Sequence, residues 1–398
     1  MNLPKALYEL EFKHGSDYGY EEASAILDVL KDSAPSCGPK VKAFEEAFAG
    51  YCGCKHALAV TSGTAGLHLA VMAAGVGPGD EVITTPVTWI STANAIAATG
   101  ATVVFADVDP KTLNLDPKSV ASKVTERTKA ILPVHLYGQP CDMDALSAIA
   151  RPRGILLIDD CAHAPGAEYK GRRTGNLGDI GVFSFHQQKN MTTLGEGGMV
   201  TTNNPDLFER LLALRSLCCR SYDPKGKYLA FDEARQPMGK KYWLLDFESV
   251  GYNYRMTDVQ AAVGLVQLGK LDAWNERRIQ IAADYTRRLA GIPGLRLPYV
   301  APEVKHVFHI YCVFLEPEFP LSKEDFMWEM CTGRRIKVWS HYTPLYASTA
   351  YRRMGHHPGE CPVAEEMYAR FVSLPIHPRL SEEAVEYLTR SIRDVAHA

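Results

Sequence analysis

The sequence lacks a strong charge excess, a long apolar run and an apolar leader. Its formal net charge is −3 over 398 residues, so no electrostatic argument favours nucleic acid or an anionic membrane as a partner. No segment approaches the ~20 apolar residues of a membrane-spanning helix. The start, MNLPKALYELEFKHG, has no apolar core of a signal peptide. These absences predict a cytoplasmic protein that binds neither nucleic acid nor membrane.

The ten cysteines are scattered along the chain, and no CxxC pair occurs. The closest pairs, Cys52-x-Cys54 and Cys218-Cys219, do not have zinc-site spacing. A disulfide framework is not expected in a chain of this length without a secretion signal. We therefore expect reduced thiols that mostly serve packing, and no metal site.

From about residue 40 to 216, apolar runs alternate with segments of helical periodicity. Strands that are nearly all apolar and separated by helices indicate a parallel sheet that is covered on both faces. The pattern therefore predicts an α/β fold with a mostly parallel sheet. The predicted strands of this region are 56–60, 81–85, 101–109, 131–136, 155–160, 181–185 and 197–202.

The periodicity lapses at 217–249, a charged and aromatic stretch that we interpret as a long surface excursion. A cap-like Thr257-Asp258 then begins a helical pattern that continues to about Leu289. This long helix is predicted to join two parts of the chain.

A smaller α+β unit follows the long helix. It contains a predicted strand at 309–316, a helix that begins at Ser322 with Asp325 three residues later, and a last helix in SEEAVEYL. We predict a large α/β domain at 1–250, including the excursion, and a small C-terminal α+β domain at 251–398.

Two loops that follow predicted strands carry residues suited to a phosphate and a flat ring. In an open parallel sheet, ligands bind at the carboxyl ends of the strands. Ser62-Gly63-Thr64 begins a helix, where unpaired amides and the helix dipole favour a phosphate. Trp89 begins the next helix and is suited to cover a planar ring. The structural alternatives are a plain N-cap turn for the first loop and a core anchor for the second.

Two adjacent carboxylates, Asp159 and Asp160, end the apolar run 155–160. A buried carboxylate is costly unless it is paired. His163 lies three residues further on, so a metal pair is one alternative, but we find no third ligand with suitable spacing. A carboxylate that pairs with a protonated ring nitrogen fits this position better.

Lys189 lies in the loop FSFHQQKNMTTLGEGGMV, with Ser184 five residues before it and three glycines after it. An isolated lysine is usually a solvated surface charge. Here a phosphate site, a ring cover, a buried carboxylate and a lysine occur together. Pyridoxal phosphate requires this set, because it needs a lysine Schiff base, an acid at its pyridine nitrogen and a phosphate site.

Several motifs follow one another in a fixed order: TSGTAGLHLA, GDEVITTPVTWISTANAI, VFADVDPKTLNLDP, LPVHLYGQPCDMDAL, IDDCAHAPGAEY, GDIGVFSFHQQKN…GEGG and GYNYRMTDVQAAVG. In this order they resemble the pyridoxal-phosphate-dependent DegT/DnrJ family. Its members aminate keto groups of nucleotide-linked sugars and, in one branch, of aminocyclitol precursors. The resemblance covers nearly the whole chain and implies an aspartate-aminotransferase-like PLP-dependent transferase fold.

The resemblance implies a role for each residue at a matching position. Lys189 would form the Schiff base with the cofactor, and Asp160 would hold the pyridine nitrogen protonated. His163 would lie near the phenolic oxygen of the cofactor, and Trp89 would stack on its ring.

The resemblance also implies contacts to the cofactor phosphate and to the substrate. Gly63, Thr64 and Ser184 would hold the phosphate, together with Asn253 of the partner subunit, so that a homodimer with shared sites is expected. The segment with His341 and Tyr342 would lie close to the substrate. Arg255 is a candidate for the donor carboxylate, because arginine offers a bidentate fork.

We therefore expect an aminotransferase that moves an amino group from glutamate or glutamine to the keto group of a nucleotide-linked sugar, with Lys189 as the proton shuttle. A keto-cyclitol is the alternative acceptor. Two further alternatives are a PLP-dependent sugar dehydratase, in which a histidine replaces the lysine, and a non-catalytic regulator. Lysines in the excursion are candidates to contact a diphosphate, or belong to a solvated loop: Lys225, Lys227, Lys240 and Lys241.

Two features depart from the family pattern. Gly66 stands where the family usually has alanine, which is expected to weaken its helix by about 1 kcal/mol. The segment 217–249 is longer than in the sugar enzymes, and its position near the active-site entrance would alter acceptor recognition.

Overall fold

The computed structural model describes residues 15–31, 35–221 and 245–397. Most of the predicted excursion, with its four lysines, lies outside the described residues. The helices are α1 Tyr20–Leu30, α2 Pro39–Cys52, α3 Gly63–Ala73, α4 Ser91–Ala97, α5 Pro117–Lys123, α6 Met143–Ala150, α7 Pro205–Arg215, α8 Asp258–Leu289, α9 Lys323–Trp328, α10 Thr349–Arg353, α11 Pro362–Tyr368 and α12 Glu382–Ala396. The strands are β1 His56–Val60, β2 Glu81–Thr84, β3 Thr102–Phe105, β4 Thr128–Leu132, β5 Leu156–Asp160, β6 Glu168–Tyr169, β7 Arg172–Arg173, β8 Ile180–Ser184, β9 Gly198–Thr202, β10 Cys219–Ser221, β11 Leu245–Phe247, β12 Leu295–Arg296, β13 Val304–Lys305, β14 Tyr311–Leu315 and β15 Phe371–Leu374.

The largest sheet has seven strands in the order β1-β9-β8-β5-β4-β2-β3. The pairs β2–β3, β2–β4, β4–β5 and β5–β8 are parallel, whereas β9 is antiparallel to both of its neighbours. Strands β2 and β9 are buried along their whole length, as a sheet covered on both faces requires. This arrangement confirms the predicted α/β fold with a mostly parallel sheet.

The predicted strand 131–136 is too long at its C-terminal end, since β4 ends at Leu132. Pro133 has no N–H group and cannot continue the ladder as a donor. Its carbonyl still accepts a hydrogen bond from the Asp160 N–H at 2.9 Å. Val134 forms an isolated parallel bridge with Asp160. The chain beyond β4 therefore stays beside the end of β5, where the candidate carboxylates lie.

Helix α8 has the predicted bounds and the predicted cap. Thr257 accepts a hydrogen bond from the Gln260 N–H, and the Gln260 side chain accepts one from the Thr257 N–H, which forms a capping box. The antiparallel strands β12, β14 and β15 form a second sheet, which shares a separate apolar cluster with α8, α9 and α12. No helix in the described ranges is both long and apolar enough to cross a membrane. The exact domain boundaries stay a prediction.

Candidate active site

A cavity of about 560 Å³ opens at the carboxyl ends of the central strands. Most of the residues that line it lie at or after the ends of β1, β2, β4, β5 and β8, so the sheet brings distant segments of the chain to one edge. All the predicted site residues except Asn253 and Arg255 line this cavity: Gly63, Thr64, Trp89, Asp160, His163, Ser184, Lys189, His341 and Tyr342.

Asp160 ends β5, and its side chain is buried. One carboxylate oxygen accepts a hydrogen bond from the Ala162 N–H at 3.0 Å, and the other accepts one from the Thr92 hydroxyl at 2.8 Å. Burial raises the pKa of Asp160 above its ordinary value, against the lowering effect of these hydrogen bonds and of the Lys189 charge. A cationic N–H partner would stabilise the buried carboxylate, so the position suits a protonated ring nitrogen.

Lys189 lies in the turn between β8 and β9. The turn is closed by hydrogen bonds from the Phe185 N–H to the Gly197 carbonyl at 2.9 Å and from the Gln187 N–H to the Gly195 carbonyl at 3.0 Å. Gly195 has a φ of 102°, which glycine adopts without strain. The Lys189 side chain reaches the cavity, where burial lowers the pKa of its amine to about 8, although the Asp160 charge opposes the shift. Part of the amine is therefore neutral near physiological pH, as a nucleophile must be.

The N-terminus of α3 packs directly against the end of β8. A Cβ on Gly63 would lie 2.7 Å from the Ser184 Cβ, so only glycine permits this approach. The Thr64 hydroxyl donates a hydrogen bond to the Ser91 hydroxyl at 2.8 Å, which links α3 to the start of α4. The cavity thus contains the N-terminus of an 11-residue helix and adjacent hydroxyl groups. This combination suits a phosphate.

His163 is buried and held by its neighbours on both ring nitrogens. Nδ1 accepts a hydrogen bond from the Tyr137 N–H at 3.4 Å, and Nε2 lies 3.3 Å from the Tyr342 hydroxyl. Burial lowers the pKa of His163 well below its ordinary value, so the ring is neutral. Because Nδ1 is an acceptor, Nε2 carries the proton and can donate it to an oxygen in the cavity.

The aromatic wall of the cavity is formed by Trp89 and Tyr342. Trp89 is 59% exposed, which excludes the alternative of a core anchor. Its ring centroid lies 6.1 Å from that of Tyr342 in an edge-to-face arrangement. Burial lowers the pKa of the adjacent His341 to about 3, so this ring is also neutral.

Asn253 and Arg255 lie outside the cavity. Asn253 is exposed, and its backbone forms an isolated bridge with Ser216. Arg255 forms another with Val60, three residues before Gly63, where α3 begins. Within one chain this segment therefore supports the start of the loop before α3. The predicted roles of Asn253 across a dimer and of Arg255 with the donor stay predictions.

The structure adds cavity residues that the sequence did not single out. Thr92 donates to Asp160, and its hydroxyl oxygen lies 3.0 Å from that of Thr88. Because Thr92 has one hydroxyl proton, Thr88 is the donor in this second contact. The four-residue spacing of these threonines beside Trp89 is the signal that could have identified them. Two more lining residues, Lys337 and Trp339, come from the C-terminal part of the chain. No local sequence motif marks them.

One group of potential metal ligands occurs among the described residues: His135, Asp159 and Cys161, all buried. The protein already uses two of them in hydrogen bonds. His135 Nδ1 accepts from the Cys141 N–H at 3.1 Å, and an Asp159 oxygen accepts from the Gly178 N–H at 2.7 Å. Burial also raises the pKa of the Cys161 thiol well above its ordinary value, which opposes the thiolate that a metal needs. The expectation of no metal site stays a prediction.

Comparison with known proteins identifies relatives along nearly the whole chain. The DegT/DnrJ/EryC1/StrS aminotransferase family matches residues 16–393. GDP-perosamine synthase from Caulobacter vibrioides is 39% identical over 366 residues, which are 90% of this chain and 91% of the relative. The dTDP-3-amino-3,4,6-trideoxy-alpha-D-glucose transaminase of Streptomyces venezuelae is 38% identical over 377 residues, which are 94% of this chain and 92% of the relative.

Solved structures agree with this assignment. S. venezuelae DesV in complex with a ketimine intermediate has a TM-score of 0.84 and 38% identity, over 95% of each chain. A PLP-form structure from Streptococcus pneumoniae has a TM-score of 0.87 and 29% identity, over 98% of this chain and 99% of that chain. The predicted resemblance, enzyme class and cofactor are confirmed. The chain belongs to the DegT/DnrJ/EryC1/StrS aminotransferase family and is a pyridoxal-phosphate-dependent aminotransferase.

Proposed function

We propose that the enzyme transfers an amino group from glutamate or glutamine to the keto group of a nucleotide-linked sugar in amino-sugar biosynthesis. The names of two relatives support this acceptor class, because one refers to a GDP-linked product and the other to a dTDP-linked sugar. One observation carries the proposal: Lys189, Asp160 and the N-terminus of α3 line the same cavity.

The cavity residues fit pyridoxal phosphate. The close approach of Gly63 to Ser184 leaves the helix N-terminus open to a phosphate, and a Cβ would fill that space. Asp160 would pair with the ring nitrogen of the cofactor, and Lys189 would bond to its aldehyde carbon. When bound, the cofactor supplies a cationic ring that accepts electrons from the substrate carbon.

The chain then contributes groups that hold or move protons. Asp160 would keep the ring nitrogen of the cofactor protonated. Each unit by which the pKa of this nitrogen falls would weaken its protonation by about 1.4 kcal/mol. The Lys189 amine would carry a proton to and from the substrate carbon, for which a pKa of about 8 is suitable. His163 would donate from Nε2 to the phenolic oxygen of the cofactor, and Trp89 would cover its ring.

Borohydride reduction followed by peptide mapping tests the role of Lys189. Lys323 is an internal control, because burial also lowers its pKa to about 8, but its amine lies 3.9 Å from the Tyr368 ring centroid and outside the cavity. We expect the cofactor label on Lys189 alone, and we expect Lys189→Ala to lose the yellow absorption band and turnover. Label on Lys323, or transamination retained by Lys189→Ala, would contradict the assignment.

The two half-reactions, followed separately, test donor and acceptor. Glutamate or glutamine should convert the yellow enzyme into its pyridoxamine form. Nucleotide-linked keto sugars should restore the yellow form, whereas keto-cyclitols should not. Restoration by cyclitols alone would refute the proposed acceptor. No conversion by any amino donor would favour a regulator, and one relative, 38% identical, is named as a pleiotropic regulatory protein in Geobacillus stearothermophilus.

We also propose that the active enzyme is a homodimer in which Asn253 reaches the partner's cofactor phosphate. Its exposed position outside the cavity of its own chain supports this arrangement. Inactive Lys189→Ala and Asn253→Ala proteins, mixed after unfolding and refolding, test the idea. A mixed dimer with shared sites contains one intact site, so random mixing should restore about a quarter of wild-type activity. No recovery, in mixtures shown to contain mixed dimers, would place Asn253 in its own subunit's site.

A further inference from the structure

A buried side-chain network connects the turn of Lys189 to the loop of His163. Asn190 follows Lys189 directly, and its side chain is fully buried. Its Nδ2 group donates a hydrogen bond to the Asn275 Oδ1 atom of α8 at 2.9 Å. Asn275 Nδ2 donates in turn to the carbonyl of Pro165 at 2.9 Å, two residues after His163. Side chains that are bonded in a buried network hold the segments that carry them in one geometry.

His309 contacts both ends of this network. Its Nδ1 atom lies 3.1 Å from Asn190 Oδ1. Its ring lies against that of His163, with the two ring centroids 4.5 Å apart and the planes inclined by 34°. His309 itself comes two residues before β14 of the second sheet. It therefore ties that part of the chain to the lysine turn and to the histidine loop together.

The bonded atoms fix where the protons of the network are. A backbone carbonyl only accepts, so the amide that meets the Val307 carbonyl at 3.2 Å presents Nδ2 there, which leaves Asn190 Oδ1 as the acceptor. The same argument orients Asn275, whose Nδ2 meets the Pro165 carbonyl. His309 therefore donates from Nδ1, and its Nε2 carries no proton in the neutral ring.

The ring of His309 is neutral. Burial lowers its pKa well below the ordinary value, and positive charge on its neighbours acts in the same direction: His163, Lys189, Arg278 and His341. A protonated ring at this position would place a charge against the ring of His163. The neutral Nδ1 donor instead satisfies Asn190 without adding a charge to the site.

We propose that His309 is a positioning residue that aligns Lys189 with His163. In the proposed function, Lys189 would bond to the aldehyde carbon of the cofactor and His163 would donate to its phenolic oxygen, and these groups are on adjacent ring atoms. The lysine and the histidine must therefore stay aligned for both contacts to form. The hydrogen bond from His309 to Asn190 holds the lysine turn, while its ring supports His163. The inference rests on these two proposed roles.

A pH titration of the colour of the PLP-loaded enzyme tests this alignment. The yellow chromophore loses a proton as the pH rises, and a hydrogen bond donated to the phenolic oxygen stabilises the form without that proton. Loss of this hydrogen bond should therefore raise the pKa of the chromophore. His163→Phe sets the full size of the effect, which should be about one to two units, the value of a hydrogen bond to a charged group.

Two variants of His309 separate its hydrogen bond from its bulk. His309→Phe keeps a flat ring but removes the donor, and it should raise the pKa of the chromophore by about half a unit or more. His309→Asn restores a donor near the Nδ1 position and should recover most of this shift. Asn275→Ala breaks the network from α8 and should also raise the pKa. An unchanged pKa in His309→Phe, or in Asn275→Ala where the first variant does not fold, would overturn the inference. A shift in His309→Asn as large as that in His309→Phe would overturn it as well.

His306 provides a matched control in the same segment. It is buried, and burial lowers its pKa to about 3. Its Nδ1 accepts from the Phe308 N–H at 2.9 Å, and it does not line the cavity. His306→Phe should reduce the free energy of unfolding but leave the pKa of the chromophore unchanged. An equal shift in this control would show that any loss of packing in the segment moves the chromophore, and would refute a specific role of His309.

His163→Phe also separates this inference from the proposed function. If it raises the pKa of the chromophore but His309→Phe and Asn275→Ala do not, the positioning role is wrong and the role of His163 stands. If His163→Phe leaves the pKa unchanged, the proposed contact of His163 with the phenolic oxygen fails, and the positioning role fails with it.

Discussion

Replacing Thr92 with valine removes the side-chain donor that binds the buried Asp160 carboxylate, while it keeps the branched shape of the residue. The Thr92 hydroxyl lies 2.8 Å from one Asp160 oxygen, and the Ala162 N–H lies 3.0 Å from the other. After the substitution one oxygen loses this partner in a site where burial already raises the pKa of the acid. The variant therefore isolates one hydrogen bond to the group proposed to control the cofactor ring.

The magnitude follows from the charge of the acceptor. A hydrogen bond to a charged group contributes about 1.5–3 kcal/mol, and one pKa unit corresponds to about 1.4 kcal/mol. Thr92→Val should therefore raise the pKa of Asp160 by about one to two further units. Because the lost bond stabilised the ionised form, the stability cost appears at pH values above the pKa of Asp160 in the folded protein. It disappears in acid, where the carboxyl is protonated.

Two measurements check this reasoning. The free energy of unfolding of the cofactor-free Thr92→Val protein should be lower than that of the wild type at pH 8, by up to about 3 kcal/mol. The difference should shrink as the pH falls. Its affinity for pyridoxal phosphate should fall about tenfold or more, whereas Thr92→Ser keeps the hydroxyl and should stay close to the wild type. A pH-independent difference, or an equal defect in Thr92→Ser, would refute the role of this hydrogen bond.

The remaining predictions concern the lysine and three glycines. Cofactor-free protein reacts with pyridoxal phosphate through the neutral Lys189 amine, so the rate of colour formation should rise with pH and level off above about 8; a rise that continues to about pH 10, the ordinary lysine range, would contradict the lowered pKa. Gly63→Ala places a Cβ 2.7 Å from the Ser184 Cβ. Such overpacking costs about 1–3 kcal/mol, so cofactor affinity should fall about fivefold to 150-fold in an equilibrium titration, and unchanged affinity would argue against the phosphate site. Gly66→Ala places a Cβ 2.8 Å from a valine methyl of β8, whereas a Cβ at Gly269 meets no atom within 4 Å. Thermal unfolding should show the first variant destabilised and the second stabilised by about 1 kcal/mol, and effects of equal sign would show that packing does not decide them.

The sequence by itself determined the elements and the loops that carry the chemistry. Apolar runs and caps are local properties, so the strands of the central sheet and the bounds of α8 could be predicted from neighbouring residues. The order of the elements predicted a parallel sheet, and such a sheet brings the ends of its strands to one edge. Gly63, Asp160 and Lys189 could therefore be placed together although more than a hundred residues separate the first from the last.

Only the tertiary structure decided which side chains support these residues and which surround the substrate. Thr92, in the first turn of α4, donates a hydrogen bond to Asp160 at the end of β5. The segment with Lys337 and Trp339 lines the same cavity from the C-terminal part of the chain. From the sequence, Gly66 is expected only to weaken its helix slightly. In the structure, a Cβ at this position would lie 2.8 Å from a methyl group of Val182 in β8, so alanine would require the neighbours to shift. The pKa values of Asp160 and Lys189 also depend on the tertiary structure, because burial raises the first and lowers the second. Contacts between distant segments and exclusion of water arise only when the elements pack, so no local pattern in the chain encodes them.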